Sequence, residues 1–79
     1  MTNLEKYNNA FMDSLEIKQE QLKGLQYQQI PTWDSVGHMT LVAEIEDAFD
    51  IMMDTDHIID LDSYEKGIKI LTDYYNITF

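Results

Sequence analysis

Three side chains packed into about one helical turn, Asp34, Ser35 and His38, have the types from which chemistry is built. A carboxylate, a hydroxyl and an imidazole are the parts of a hydrolytic relay, but such a relay needs them in series, nucleophile to base and base to orienting acid. Residues crowded on one turn cannot be set in that line. No enzyme activity is therefore expected, and His38, which falls near an apolar stripe, is expected as a packed residue at a helix interface. The serine has another use. A hydroxyl in the first turn of a helix sits beside unpaired backbone N–H groups and the positive end of the macrodipole, where an attached phosphate is favoured by about 0.3–1 kcal/mol. Asp34 and Ser35 are both good N-cap types, so the plain alternative is that the pair only caps the helix.

Other chemistry is bounded by composition. The chain has no cysteine, which removes disulfides, thiolate metal sites and a cysteine nucleophile; any thiol must be borrowed. Asp54, Asp56, Asp60, Asp62 and Glu65 fall at positions one, three, seven, nine and twelve of an EF-hand register, but Ile58 occupies the fifth position and Ile59 the sixth, where the turn glycine belongs. No dedicated metal site is expected. Fifteen acidic residues against five lysines leave a net charge of −10, and the ten acids from Asp34 to Glu65 meet no Lys or Arg in that stretch. Nucleic acid and anionic membranes are poor partners for such a surface, whereas basic protein patches are good ones. The first residues lack the layout of a signal peptide and no apolar run approaches ~20 residues, so a cytoplasmic location and no membrane partner are expected.

The elements that must position Ser35 follow from hydrophobic spacing. A single domain over residues 1–79 is expected from length. Thr2-x-x-Glu5 has the form of a capping box, and Leu4, Tyr7, Phe11 and Leu15 fall on one face behind it, predicting a helix to about Glu16. Residues 17–33 carry Gly24 and Pro31 but also Leu22, Leu25, Tyr27, Ile30 and Trp33, the pattern of a long loop pinned to the core with one short helical turn. A second helix is predicted from Ser35 to about Asp50, with Leu41, Val42, Ile45, Ala48 and Phe49 inward. Asp54 and Thr55 can open a short third helix through Leu61. Asp62-x-x-Glu65 offers a capping pattern for a last helix lined by Tyr64, Ile68, Leu71 and Tyr75. No period-two alternation of useful length appears, so the expected fold class is an all-α bundle of three main helices and one short one, with a long first loop. The outer face of the second helix is unusual: Val36, Met39, Thr40, Ala43 and Asp47 cluster opposite the core stripe, flanked by Glu44, Glu46 and Asp50.

The run Trp33-Asp34-Ser35-Val36-Gly37-His38-Met39, followed by an acidic amphipathic helix, resembles the phosphopantetheine attachment motif of the acyl carrier protein family. The similarity extends to helix order, the long first loop, the short third helix and the acidity. It implies that Ser35 is the residue modified by a phosphopantetheine arm from coenzyme A, that Asp34 is its preceding acid, and that Val36, Met39, Ala43, Glu46 and Asp47 face partners. Those partners would be a phosphopantetheinyl transferase, which brings Mg²⁺, and acyl-loading and acyl-using enzymes with basic docking patches. The carrier itself is expected to be a monomer holding acyl groups as thioesters. Fatty-acid members of the family usually have an acid where Gly37 stands and often where Thr40 stands. The pattern Tyr27-x-x-Ile30-Pro31-x-Trp33-Asp34-Ser35-x-x-His38 is instead similar to discrete carriers of specialised pathways. Two other functions are compatible with the residues: an aminoacyl or peptidyl carrier, which shares the serine chemistry, and an acidic helical interaction module with no covalent group.

Overall fold

The first helix begins as its sequence dictates. Thr2 Oγ1 accepts from the Glu5 amide at 3.1 Å, and Glu5 Oε1 accepts from the Thr2 amide at 2.9 Å, closing a reciprocal capping box. These hydrogen bonds favour the ionised carboxylate and hold Glu5 below its ordinary pKa. In the computed structural model, which describes all 79 residues, α1 (Asn3–Leu15), α2 (Ser35–Phe49), α3 (Thr55–Asp60) and α4 (Tyr64–Tyr75) form an all-α bundle with no strand. One 3₁₀ turn at Gln19–Gln21 supplies the short helical turn expected in the long loop. No helix is long and apolar enough to cross a membrane.

The core explains why each helix keeps its orientation. Trp33, Tyr7, Phe11, Leu15, Leu41, Ile45, Leu61 and Leu71 have essentially no exposed surface, so α1, α2, α4, the residue that ends α3 and the long loop contribute to one apolar cluster. Phe11 sits at its centre, with Tyr7, Trp33 and Tyr64 rings at 5.0, 5.4 and 5.4 Å. These are the tilted and edge-to-face arrangements that aromatic quadrupoles prefer. The Tyr7 hydroxyl, fully enclosed, donates to the Tyr64 carbonyl at 2.7 Å; burial pushes its pKa well above that of a free phenol.

Two faces are rotated from those the spacing predicts. On α1, Leu4 stays 41 % exposed while Ala10 is buried, because the stripe follows the closely packed α2. On α4 the inward residues are Gly67, Ile70 and Leu71, with Tyr64, Ile68 and Tyr75 only half-buried. Gly67 is the cause: a Cβ there would fall on the Tyr7 hydroxyl and lie 2.7 Å from Leu61 Cδ1, so the bare glycine lets α4 close over Tyr7. Hydrophobic periodicity does not register glycine as an inward residue.

The start of α4 also differs. The cap is Ser63, whose Oγ accepts from the Lys66 amide at 3.0 Å, and not Asp62. Glu65, the other half of the expected pattern, turns away to accept from the Gly24 amide at 3.0 Å. The shift by one residue follows from pairing between the long loop and the α3–α4 link. The Tyr27 amide donates to the Asp62 carbonyl at 2.8 Å and the Tyr64 amide to the Leu25 carbonyl at 2.9 Å, an isolated antiparallel bridge at Gln26 and Ser63. With Leu22, Leu25 and Trp33 buried, this pairing locks the loop that delivers Ser35.

Candidate functional site

The head of α2 resolves which of two adjacent residues is the cap. Asp34 has extended backbone (φ −104°, ψ −167°), and its Oδ1 accepts from the Gly37 amide at 2.8 Å. The cap is therefore complete without Ser35, which is the first helical residue and exposed. The chain has only three serines, and the other two hydroxyls are occupied: Ser14 donates to the Ala10 carbonyl at 2.6 Å, and Ser63 caps α4. The Ser35 hydroxyl has no hydrogen-bond partner within the chain. A free hydroxyl in the first turn of a 15-residue helix can act as a nucleophile toward an approaching phosphorus centre and then keep the resulting phosphate beside backbone N–H groups.

Gly37 has a steric reason to carry no side chain. A Cβ on it would land on the Thr32 carbonyl oxygen, so the first turn of α2 presses directly on the backbone of the loop. Beside it, the Trp33 indole N–H donates to His38 Nδ1 at 3.0 Å, and His38 Nε2 lies 2.8 Å from the Ile58 carbonyl of α3. Trp33 and His38 are stacked, with ring planes 18° apart, and Tyr27 meets His38 edge-on at 5.3 Å. His38 is thus a half-buried structural residue between α2 and α3 and forms no relay with Ser35. Next to this assembly opens a pocket of about 340 Å³, mostly apolar, reached from Ser35 and walled by Tyr27, His38, Met39, Ile58, Ile59 and Leu61.

The outer face of α2 is arranged largely as its helical wheel predicts. Val36 and Met39 are 73 % and 55 % exposed, and Thr40, Ala43 and Asp47 are exposed in line with them. Glu46 differs. It is half-buried, and its Oε2 accepts from the Met53 amide at 2.8 Å, so this carboxylate anchors the turn into α3 in addition to any role at a surface. Glu44 also leans inward: its Oε2 is buried with no hydrogen-bond partner, and desolvation, with Asp13 and Asp47 nearby, raises its pKa above the usual carboxylate value. Cations do little to relieve this face. The one ion pair in the chain, Lys69 with Asp73 at 3.5 Å, lies exposed on α4.

The sequence-derived site residues therefore divide in two. Asp34, Ser35, Val36, Met39, Ala43 and Asp47 come together on one exposed strip at and below the head of α2, while Glu46 is drawn toward the α2–α3 turn. Ile58 and Ile59, which wall the pocket beside Ser35, stand out in the sequence only as misfits in an EF-hand register, although two adjacent isoleucines in an acidic stretch are the available signal. Comparison with protein-family models, curated proteins and solved structures gives no match, so the functional reading rests on the geometry of these residues.

Proposed function

We propose that this protein is an acyl carrier, holding acyl groups as thioesters on a phosphopantetheine arm attached to Ser35. The observation that carries this reading is the division of labour at the head of α2: Asp34 takes the cap, leaving the Ser35 hydroxyl exposed, unpartnered and next to an apolar pocket. In the attachment step the Ser35 oxygen forms a bond to the β-phosphorus of coenzyme A. The bond from that phosphorus to the nucleotide portion breaks, adenosine 3′,5′-bisphosphate departs, and the hydroxyl proton passes to a base of the transferase. The new phosphodiester lies in the first turn of α2, where the macrodipole favours its charge. The arm supplies the terminal thiol that a chain without cysteine lacks.

The exposed strip below Ser35 suits transient docking. Val36, Met39 and Ala43 offer a small apolar contact, and a net charge of −10 with a single exposed ion pair steers basic partners toward it. Contacts of this kind associate quickly and release, as a carrier visiting several enzymes requires. The test is incubation with coenzyme A, Mg²⁺ and a broad-specificity phosphopantetheinyl transferase, read by intact mass. Wild type gains one phosphopantetheine and Ser35→Ala gains none. A wild type left unmodified by a transferase proven active on another carrier refutes the reading and leaves an acidic interaction module in its place.

A further inference from the structure

The hydrogen bonds on the His38 ring run in one direction. An indole N–H only donates, so Nδ1 of His38 must be the acceptor from Trp33, and the ring proton is on Nε2, aimed at the Ile58 carbonyl. Ile58 lies in the last turn of α3, where carbonyls have no intrahelical partner. Besides this bond the helix is held at its first turn, where the Tyr75 hydroxyl accepts from the Asp54 amide at 2.8 Å and lies 2.7 Å from His57 Nδ1. It is six residues long, far below the length at which a helix is stable alone, and its N-cap Asp54 makes no side-chain cap. Ile59 is 71 % exposed, so of its two isoleucines only Ile58 packs against the core.

We propose that His38 is a positioning residue that sets how far the pocket beside Ser35 opens, by tying α3 to the head of α2. Resting on the carrier reading of Ser35, this sets the length of acyl chain that the pocket can shelter. The tie spans the pocket from one wall to the other, because His38 belongs to α2 while Ile58, Ile59 and Leu61 form the opposite side. With the tie intact the volume is about 340 Å³, at the low end of the ~300–1,000 Å³ found for small-molecule clefts. A long chain enters only if α3 swings away, and that motion breaks the His38–Ile58 hydrogen bond.

Two measurements on unmodified protein test the tie. Long-range ¹H–¹⁵N spectra of the wild type should show the His38 ring as the Nε2–H tautomer; the Nδ1–H form would overturn the proposal. Amide exchange in residues 58–61 should quicken on the order of tenfold in His38→Ala, the loss of about one hydrogen bond, with α1 and α4 unchanged. His38→Gln, whose amide offers one acceptor and one donor at similar spacing, should restore slow exchange. Equal α3 exchange in all three proteins would overturn the tie, and if His38→Ala fails to fold, the tautomer and His38→Gln still decide. A third measurement uses the loaded protein. An octadecanoyl thioester, too large for the pocket as it stands, should be cleaved by hydroxylamine several-fold more slowly on His38→Ala than on the wild type; equal protection in both would refute the limit on cargo. Failure of the wild type to accept the arm would count against the carrier reading alone, since the first two measurements need no arm.

Discussion

At Ser35 the capping duty falls to the preceding residue, and that offset of one position leaves a helix-start hydroxyl with nothing to do inside the chain. Ser63 is the internal contrast: it also begins a helix, but its own oxygen is the cap. Sequence could name both residues of the Asp34–Ser35 pair as cap types but could not choose between them, since the choice depends on backbone angles fixed by Trp33 and the loop. Glu44 carries a second residue-scale consequence. Its folded pKa is raised, so the unfolded chain releases that proton more readily, and folding is opposed once pH exceeds the folded value. Below the ordinary carboxylate value both states are protonated and the penalty is gone. Glu44→Gln should therefore raise the Tm at neutral pH, with the advantage over wild type shrinking toward zero at about pH 4 and below. Thermal melts of both proteins across this range check it; a Tm lowered by the substitution at neutral pH would contradict the burial of an unpaired carboxylate.

At the scale of elements, helix existence was legible because Tyr7, Phe11 and Leu15 on α1 and Leu41, Val42 and Ile45 on α2 recur at helical spacing and are all buried. What stayed hidden has a common physical origin, in contacts that follow backbone approach and not side-chain pattern. Gly67 admits Tyr7, Gly37 admits the Thr32 carbonyl, and a two-residue bridge between the loop and the α3–α4 link moves a cap from Asp62 to Ser63. The candidate site was legible to a similar depth: the strip from Asp34 to Asp47 could be read, but the anchoring of Glu46 at the Met53 amide and the pocket walled by α3 could not. Gly37→Ala should destabilise the fold by about 1–3 kcal/mol, as overpacking against a fixed backbone does, and slow modification of Ser35 by displacing the first turn. A variant with unchanged Tm and unchanged modification rate would mean that α2 does not need its close approach to Thr32. On the outer face, Asp47→Lys is the cleaner charge probe, because Glu46 is tied into the structure. Its transferase kcat/KM should fall several-fold at low salt and recover as salt rises, while the Met39→Ala defect should persist, apolar contact being insensitive to screening. Equal rates for wild type and Asp47→Lys at low salt would remove this face as the recognition surface.

Over the whole molecule, a net charge of −10 is held on a globule with a radius of gyration of 11.2 Å and one exposed ion pair. Repulsion among unpaired acids opposes compaction, and at low ionic strength it is felt over ~30 Å, the full width of such a body. Added salt or Mg²⁺ should raise the Tm, most steeply at the lowest concentrations, and a Tm that is unchanged or lowered would show that the acidic surface is not strained. The same charge that strains the fold attracts basic surfaces at long range, so stability and the proposed recognition draw on one surface. The central claim is narrower than either and is decided by location. Proteolysis after lysine releases one fragment, residues 24–66, that contains both Ser35 and Ser63. Fragment-ion mapping of that peptide, after treatment with coenzyme A and an active transferase, should place a single phosphopantetheine on Ser35. An arm found on Ser63, or a peptide carrying none, would contradict the account.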